Sequence, residues 1–318
     1  PAGLSEGGNV LFERNPGGAP ANVLAAVRRL GGSGAFLGMV GQDAFGAYLK
    51  GVLEDLGIDV CGLRRTPEAD TTLAFVHLDP KGDRSFSFYR PAGADTRLAT
   101  GDLDLSRLDA ASIFHFGSLS LTDEPARSAT LAAAARARTR GIPVSYDPNW
   151  RPPLWPDDDH ARAGMRLGLP FADLLKVSET ELRFLTGEAD LERGSHFLLE
   201  EGPRLVLVTL GPDGCHYRTR SCSGWVPAYD VRVVDTTGAG DAFLGAMLYR
   251  LSGLFRQGRT LDDLAREELA DLVSFATAAG SLCTTRRGAI PAMPSLDDID
   301  RCRTAASPMV RRELTISQ

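Results

Sequence analysis

The sequence predicts an α/β fold: a doubly wound, mostly parallel sheet flanked by helices, with a small β-sheet lid. Three observations predict it. From about residue 110 onward, short apolar runs alternate with helical patterns, the rhythm of strands joined by crossover helices. The polar motifs DPN, SETE, TLGPDG and DTTGAGD all follow predicted strands, and open α/β sheets bind ligands outside those strand ends. The first hundred residues lack this alternation and carry β-rich runs suited to a lid.

The elements follow in order. NVLFERN, roughly residues 9–15, reads as a lid strand. After GGAPAN, the apolar positions Val23, Ala26, Val27 and Leu30 fit one helical face. TTLAFVHLDPKGDRSFSFYR, roughly residues 71–91, reads as a hairpin. Thr72, Ala74, Val76 and Leu78 alternate with other residues, DPKGD supplies the turn, and Phe86 and Phe88 alternate on the return. SIFHFGSLSL, PVSYDPN, DLLKVS and RLVLVTLG read as sheet strands. Helical stretches at EPARSATLAAAARARTRG, DDHARAGMRLGL and ETELRFLTG separate them. In VDTTGAGDAFLGAMLYRL, Val234 to Leu251, an apolar strand ends at Asp235 and Asp241 opens an amphipathic helix. No repeat or low-complexity linker interrupts the chain, so residues 1–318 read as one domain with its lid.

Composition narrows the function. A net charge of −6 argues against a nucleic-acid partner held by phosphate electrostatics, and the basic run Arg136–Arg140 reads as the solvated face of an Ala/Arg helix. Five cysteines without a C-x-x-C pair point to a reducing cytoplasm rather than a disulfide framework or a zinc site. No run is long and apolar enough for a membrane span, and the first residues show no signal-peptide pattern.

The glycine turn carries the chemistry. Consecutive glycines let successive N–H groups converge into an anion nest, and the following helix adds the positive end of its dipole. Gly238, Ala239 and Gly240 therefore suit a phosphate oxygen or a transferring phosphoryl group. Asp241 on its own reads equally as an acid stabilising a helix start. The pattern is neither the P-loop nor the G-x-G-x-x-G dinucleotide turn, which sets a nicotinamide-dependent dehydrogenase aside.

The whole stretch resembles the second signature of the PfkB/ribokinase family of sugar kinases. NPGGAPANVLAAVRRLGGSGAFLGMVGQDAFG, Asn15 to Gly46, resembles the first. GSLSLTDEPARS, SYDPNWRPPLWP, KVSETELRFLTG and VTLGPDG look like the fructokinase branch, and TTRRGAIPAMP resembles the C-terminal loop. The resemblance implies a ribokinase-like fold and an ATP-dependent kinase acting on the primary 6-hydroxyl of D-fructose. Asp241 would be the base and the Gly238–Gly240 backbone the anion hole. A helix N-terminus favours the ionised carboxylate, so Asp241 is expected to be a weak base, which a loose phosphoryl-transfer transition state tolerates. A 2-keto-3-deoxygluconate kinase is the alternative within the class. A non-catalytic fructokinase-like interaction protein is the alternative outside it.

Further roles are implied by the same resemblance. Gly17, Gly18 and Asn22 fall in the sugar-binding segment, and Phe88, Arg90 and Arg151 lie near the acceptor sugar or the transferred phosphate. Glu181, in S-x-x-E, would hold Mg²⁺ through water, while Lys176 reads as strand-end solvation. Thr209, Gly211 and Gly214 form the nucleotide-facing turn, with Ala276, Ala279 and Gly280 offering room for adenine. Thr277 stands where relatives often carry Asn. Asp235, Thr237, Cys283, Arg286 and Gly288 match a K⁺ loop. Pairing through the lid would give a homodimer. Relatives open with a strand whose closing Asp grips the sugar. No such strand precedes Pro1, and with every downstream motif intact a trimmed start is expected.

Overall fold

The computed structural model describes residues 3–78, 84–90 and 93–305 of the chain. Its strands are β1 (Gly3–Leu4), β2 (Val10–Leu11), β3 (Gly38–Gly41), β4 (Leu63–Thr66), β5 (Leu73–Leu78) and β6 (Arg84–Tyr89). They continue as β7 (Phe114–Gly117), β8 (Val144–Asp147), β9 (Leu174–Ser178), β10 (Leu205–Thr209), β11 (Cys215–Arg218) and β12 (Ser223–Val226). The helices are α1 (Ala19–Arg29), α2 (Ala44–Asp55), α3 (Leu105–Asp109), α4 (Ala126–Thr139) and α5 (Asp158–Arg166). After them come α6 (Glu179–Thr186), α7 (Leu191–Glu200), α8 (Ala239–Arg256), α9 (Arg266–Cys283) and α10 (Leu296–Ala305).

The central sheet has six strands in the order β12-β11-β10-β9-β8-β7, running without reversal. β7 to β10 are parallel, and β11 and β12 close one edge as an antiparallel hairpin. Four consecutive residues of β8, β9 and β10 are buried because helices cover both faces. On one face Tyr146, Leu175, Val177 and Val206 pack with Ala133, Met165, Leu182 and Leu198 of α4 to α7. On the other, Leu174, Leu205 and Leu207 pack with Leu244 and Phe275 of α8 and α9. The alanines that make α4 a good helix also let it lie close, with Ala126, Ala129, Ala133 and Ala137 all buried.

Three expectations change in detail. The hairpin pairs β5 with β6 as foreseen, while its DPKGD turn falls on residues 79–83, outside the described ones, as does the alternation of the Val76, Leu78 and Phe86 side chains. NVLFERN contributes only β2, which pairs with β1 rather than with the hairpin. Phe12 reaches the hairpin through an edge-on contact with Phe75, centroids 5.6 Å apart. Val231–Asp235 is no strand. Its backbone is tied instead to the end of α9, the N–H groups of Val234 and Asp235 donating to the Thr284 carbonyl. Nor is α8 amphipathic at its start, since Asp241 to Leu248 are buried all round.

The Asp of VGQDAFG is structural. Asp43 caps α2, accepting from Gly46 N–H at 2.7 Å, and ties it to Thr71 N–H at 2.7 Å. Burial raises its pKa, but these hydrogen bonds outweigh it and hold the carboxyl below the usual range.

Candidate active site

DTTGAGD turns the chain from the Asp235 segment into α8. Gly238 takes φ 78°, a left-handed conformation that glycine adopts without strain. A Cβ there would meet Ala289 Cβ at 2.7 Å, so the turn is seated directly on the C-terminal loop. Within the turn, Ala239 N–H donates to Thr236 O at 3.3 Å and Ala242 N–H to Gly238 O at 2.8 Å. Among the described residues the N–H groups of Gly238, Gly240 and Asp241 have no such partner. The donors left for an anion are therefore Gly238, Gly240 and Asp241, with Ala239 already engaged. Such a set suits a phosphoryl oxygen.

Asp241 is 9 % exposed. The local argument from the helix terminus anticipates a low pKa, and the structure reverses it. Burial pushes the carboxyl up to about 6, with Asp147 adding to the rise, while the Asn22 hydrogen bond, Lys176 and Arg151 work the other way. Asn22 donates from Nδ2 to Asp241 Oδ2 at 2.8 Å across 219 positions of sequence. Its Oδ1 is buried and has no hydrogen-bond partner among the described residues. An unpartnered buried acceptor on the residue that holds a carboxylate suits a substrate hydroxyl. Gly17 and Gly18, exposed and with open space where a Cβ would stand, lead into the helix that carries Asn22.

Lys176 departs from the sequence reading. It is not solvated: it is 6 % exposed and bonds Asp147 Oδ2 at 2.7 Å. Asp147 also accepts from Asn149 N–H at 3.1 Å, and Asn149 takes φ 48° to close the DPN turn. That turn aims Trp150 N–H at Glu181 Oε1, 2.6 Å away, and folds Arg151 back onto the preceding carbonyls, Nη1 donating to Trp150 O at 2.9 Å. The other Glu181 oxygen accepts from Ser178 N–H at 2.7 Å and Ser178 Oγ at 2.9 Å as a capping box. With both oxygens engaged in hydrogen bonds, Glu181 suits a metal held through its water shell rather than directly.

The other candidates fall in three places. Asp235 Oδ1 accepts from Thr237 N–H at 2.7 Å and Oδ2 from Gly288 N–H at 2.9 Å, while Cys283 Sγ lies 3.7 Å from Thr237 O. Four of the five K⁺-loop residues thus converge, and Arg286 is exposed beside them. Thr209 ends β10 and Gly211 takes φ 58° in the turn after it. Gly214, at φ 97°, is pressed against the Val226 and Ala228 backbone and so shapes the β11–β12 hairpin. Ala276 and Ala279 are buried in the core, and a Cβ on Gly280 would lie 3.2 Å from Ala239 O. Their smallness serves the close packing of α9 on α8.

At the lid, the hairpin register relates the two phenylalanine rings. Phe88 pairs with Ala74 and Phe75 with Ser87, so the two rings lie on opposite faces of the hairpin. Arg90 sits at the hairpin's root with a buried side chain. It donates to Asp95 Oδ2 at 2.9 Å, Thr122 Oγ1 at 2.8 Å and Leu119 O at 2.9 Å, which ties the lid to the main domain.

A glycine turn at a helix start with a buried carboxylate beside it, on an α/β sheet with a separate small hairpin, suits a phosphoryl-transfer enzyme. Residues 9–296 match the profile described as pfkB family carbohydrate kinase, and the chain belongs to that family. Fructokinase-2 of Oryza sativa subsp. japonica is 44% identical over 299 residues, 93% of this chain and 87% of the relative. The crystal structure of a Xylella fastidiosa fructokinase with bound ATP superposes with a TM-score of 0.87 at 39% identity, covering 93% of this chain and 94% of that one. A Vibrio cholerae O395 fructokinase in fructose, ADP and calcium ion bound form gives 0.82 at 36%, covering 92% of each.

Proposed function

We propose that the protein transfers the γ-phosphoryl group of ATP to the 6-hydroxyl of D-fructose, yielding fructose 6-phosphate and ADP. Membership of a carbohydrate kinase family and relatives named fructokinase over nine-tenths of the chain support the substrate pair. The observation that carries the mechanism is Asp241 held by Asn22 at the mouth of a turn with uncommitted N–H groups. Asp241 is the base: it orients the hydroxyl and takes its proton as the new O–P bond forms and the bond to the ADP oxygen breaks. The N–H groups of the turn receive the charge on the travelling phosphoryl. Asn22 Oδ1 and the Gly17–Gly18 backbone hold the sugar, with Phe88 and Arg151 at the edge of its site.

Glu181 would hold Mg²⁺ through water, and the ion would neutralise charge on the phosphate oxygens. K⁺ fits the carbonyl-rich loop of Asp235, Thr237, Cys283 and Gly288. The turn at Thr209 and Gly211 borders the nucleotide. An exposed apolar lid face (Val10, Leu11, Phe12, Phe75 and Tyr89) supports a homodimer through the lid. Five free cysteines suit a reducing compartment such as the cytoplasm, and among the described residues no helix is long and apolar enough to cross a membrane.

Turnover with fructose, 2-keto-3-deoxygluconate, ribose and nucleosides tests the substrate. Fructose is expected to give the highest kcat/KM, and turnover of the keto-acid without fructose overturns the reading. A pH profile tests the base. Asp241 must be ionised to accept a proton, so kcat/KM should fall about tenfold per unit on the acid side of an apparent pKa near 6. A limb that stays flat down to about pH 4.5 would remove Asp241 from the role.

A further inference from the structure

The buried ion pair of Asp147 and Lys176 has no part in the chemistry described so far. Asp147, the last residue of β8, is 3 % exposed, and Lys176, in the middle of the neighbouring β9, is 6 % exposed. Lys176 lies on the β9 face that packs against α8, in line with Leu174. Its ammonium reaches the glycine turn: a Cβ placed on Gly240 would lie 3.2 Å from Lys176 Nζ and 3.4 Å from Cε. Position 240 thus leaves the ammonium room beside the turn. An ammonium has three donors, and the hydrogen bond to Asp147 uses one.

Stability alone is a poor account of this arrangement. A well-packed neutral pair is often as stable as a buried ion pair, so burial by itself does not explain the charge. Placed under an anion nest, the same charge acts where negative charge moves during transfer, in surroundings that screen it little. Burial works against the ammonium, yet the neighbouring Asp147, Glu181 and Asp241 carboxylates outweigh it and keep Lys176 protonated.

We propose that Asp147 and Lys176 form a positioning unit for phosphoryl transfer, Asp147 holding the ammonium beneath Gly240 so that its charge steadies the turn and the phosphoryl group the turn receives. The inference rests on the kinase reading but not on the identity of the sugar. Asp147 also fastens the DPN turn, so one carboxylate sets both Lys176 and the loop carrying Arg151.

The test compares Lys176→Met, Lys176→Arg and the double variant Asp147→Asn/Lys176→Met with the parent, in kcat, KM and Tm. Removing one partner strands a buried charge, so Lys176→Met should melt lower. The neutral double variant should recover most of that loss. Its kcat should stay about a hundredfold below the parent, with both KM values within about threefold, because the lost interaction belongs to the transition state. Lys176→Arg keeps the charge and should retain activity within about tenfold. Parental kcat in the double variant, or in a folded Lys176→Met, overturns the proposal and leaves the pair structural. Whether the parent phosphorylates fructose reports separately on the substrate. The variant-to-parent ratio is read with whichever sugar the parent turns over.

Discussion

Asp241→Asn is expected to lose kcat by about a thousandfold while the folded protein becomes more stable. The two effects share one cause. Asp241 sits 9 % exposed with its carboxyl pushed up to about 6, against an ordinary value of 3.8. The folded state therefore binds the proton more tightly than the unfolded chain does. Between about pH 4 and 6 stability falls as pH rises, and above that window the full cost of the ionised group is present. Two pKa units correspond to about 3 kcal/mol, so a neutral side chain of the same shape should recover about 1–3 kcal/mol at pH 7. Asn22 Nδ2 keeps an acceptor, because the new amide retains an oxygen where Oδ2 stood. Thermal unfolding at pH 7 and pH 4.5, alongside steady-state kinetics, checks both halves. The gain in Tm should be present at pH 7 and shrink at pH 4.5. An unaltered kcat, or a Tm lowered at pH 7, contradicts the account.

How much of this was legible in the sequence follows from what each signal measures. β8, β9 and β10 were readable as strands because both faces are buried, which writes short runs rich in apolar residues (VSYD, LLKVS, LVLVT). Val231–Asp235 carries much the same run but is fastened to Thr284 rather than to a strand, and a local pattern does not reveal which partner satisfies the backbone. Lys176 misled for a similar reason. A lysine at a strand end is ordinarily solvated, whereas this one sits in the middle of β9 and pairs with Asp147, 29 positions away. The pKa of Asp241 failed in the same direction. The helix dipole is local and readable, whereas desolvation depends on everything packed around the carboxylate. Motif resemblance assigned Asn22 and Asp241 to one site without disclosing that they touch. Ala276 and Ala279 are buried in the core, and in a sequence small residues look alike whether they face a ring or a helix.

The glycine turn itself supplies the second large effect. Gly238→Ala is expected to lower kcat by about a hundredfold and to destabilise the protein by about 2–4 kcal/mol. At φ 78° an alanine carries about 1–2 kcal/mol of backbone strain. Its Cβ would stand 2.7 Å from Ala289 Cβ and 2.9 Å from Ala289 Cα, and part of that contact is backbone that cannot rotate away. The turn must move off the C-terminal loop, carrying with it the Gly240 and Asp241 N–H groups and the carboxylate fixed to them. A shift of a few tenths of an ångström is enough to misalign donors that act only when aimed at the transferring phosphoryl. Gly141→Ala isolates the strain, since Gly141 has φ 69°, nothing lies within 4 Å of its added Cβ, and it sits far along the chain from the site. That control should melt slightly lower with kcat unchanged. If Gly238→Ala behaves like Gly141→Ala in rate, the N–H groups of this turn are not what receives the phosphoryl group, and the role passes to side chains such as Lys176 and Arg151.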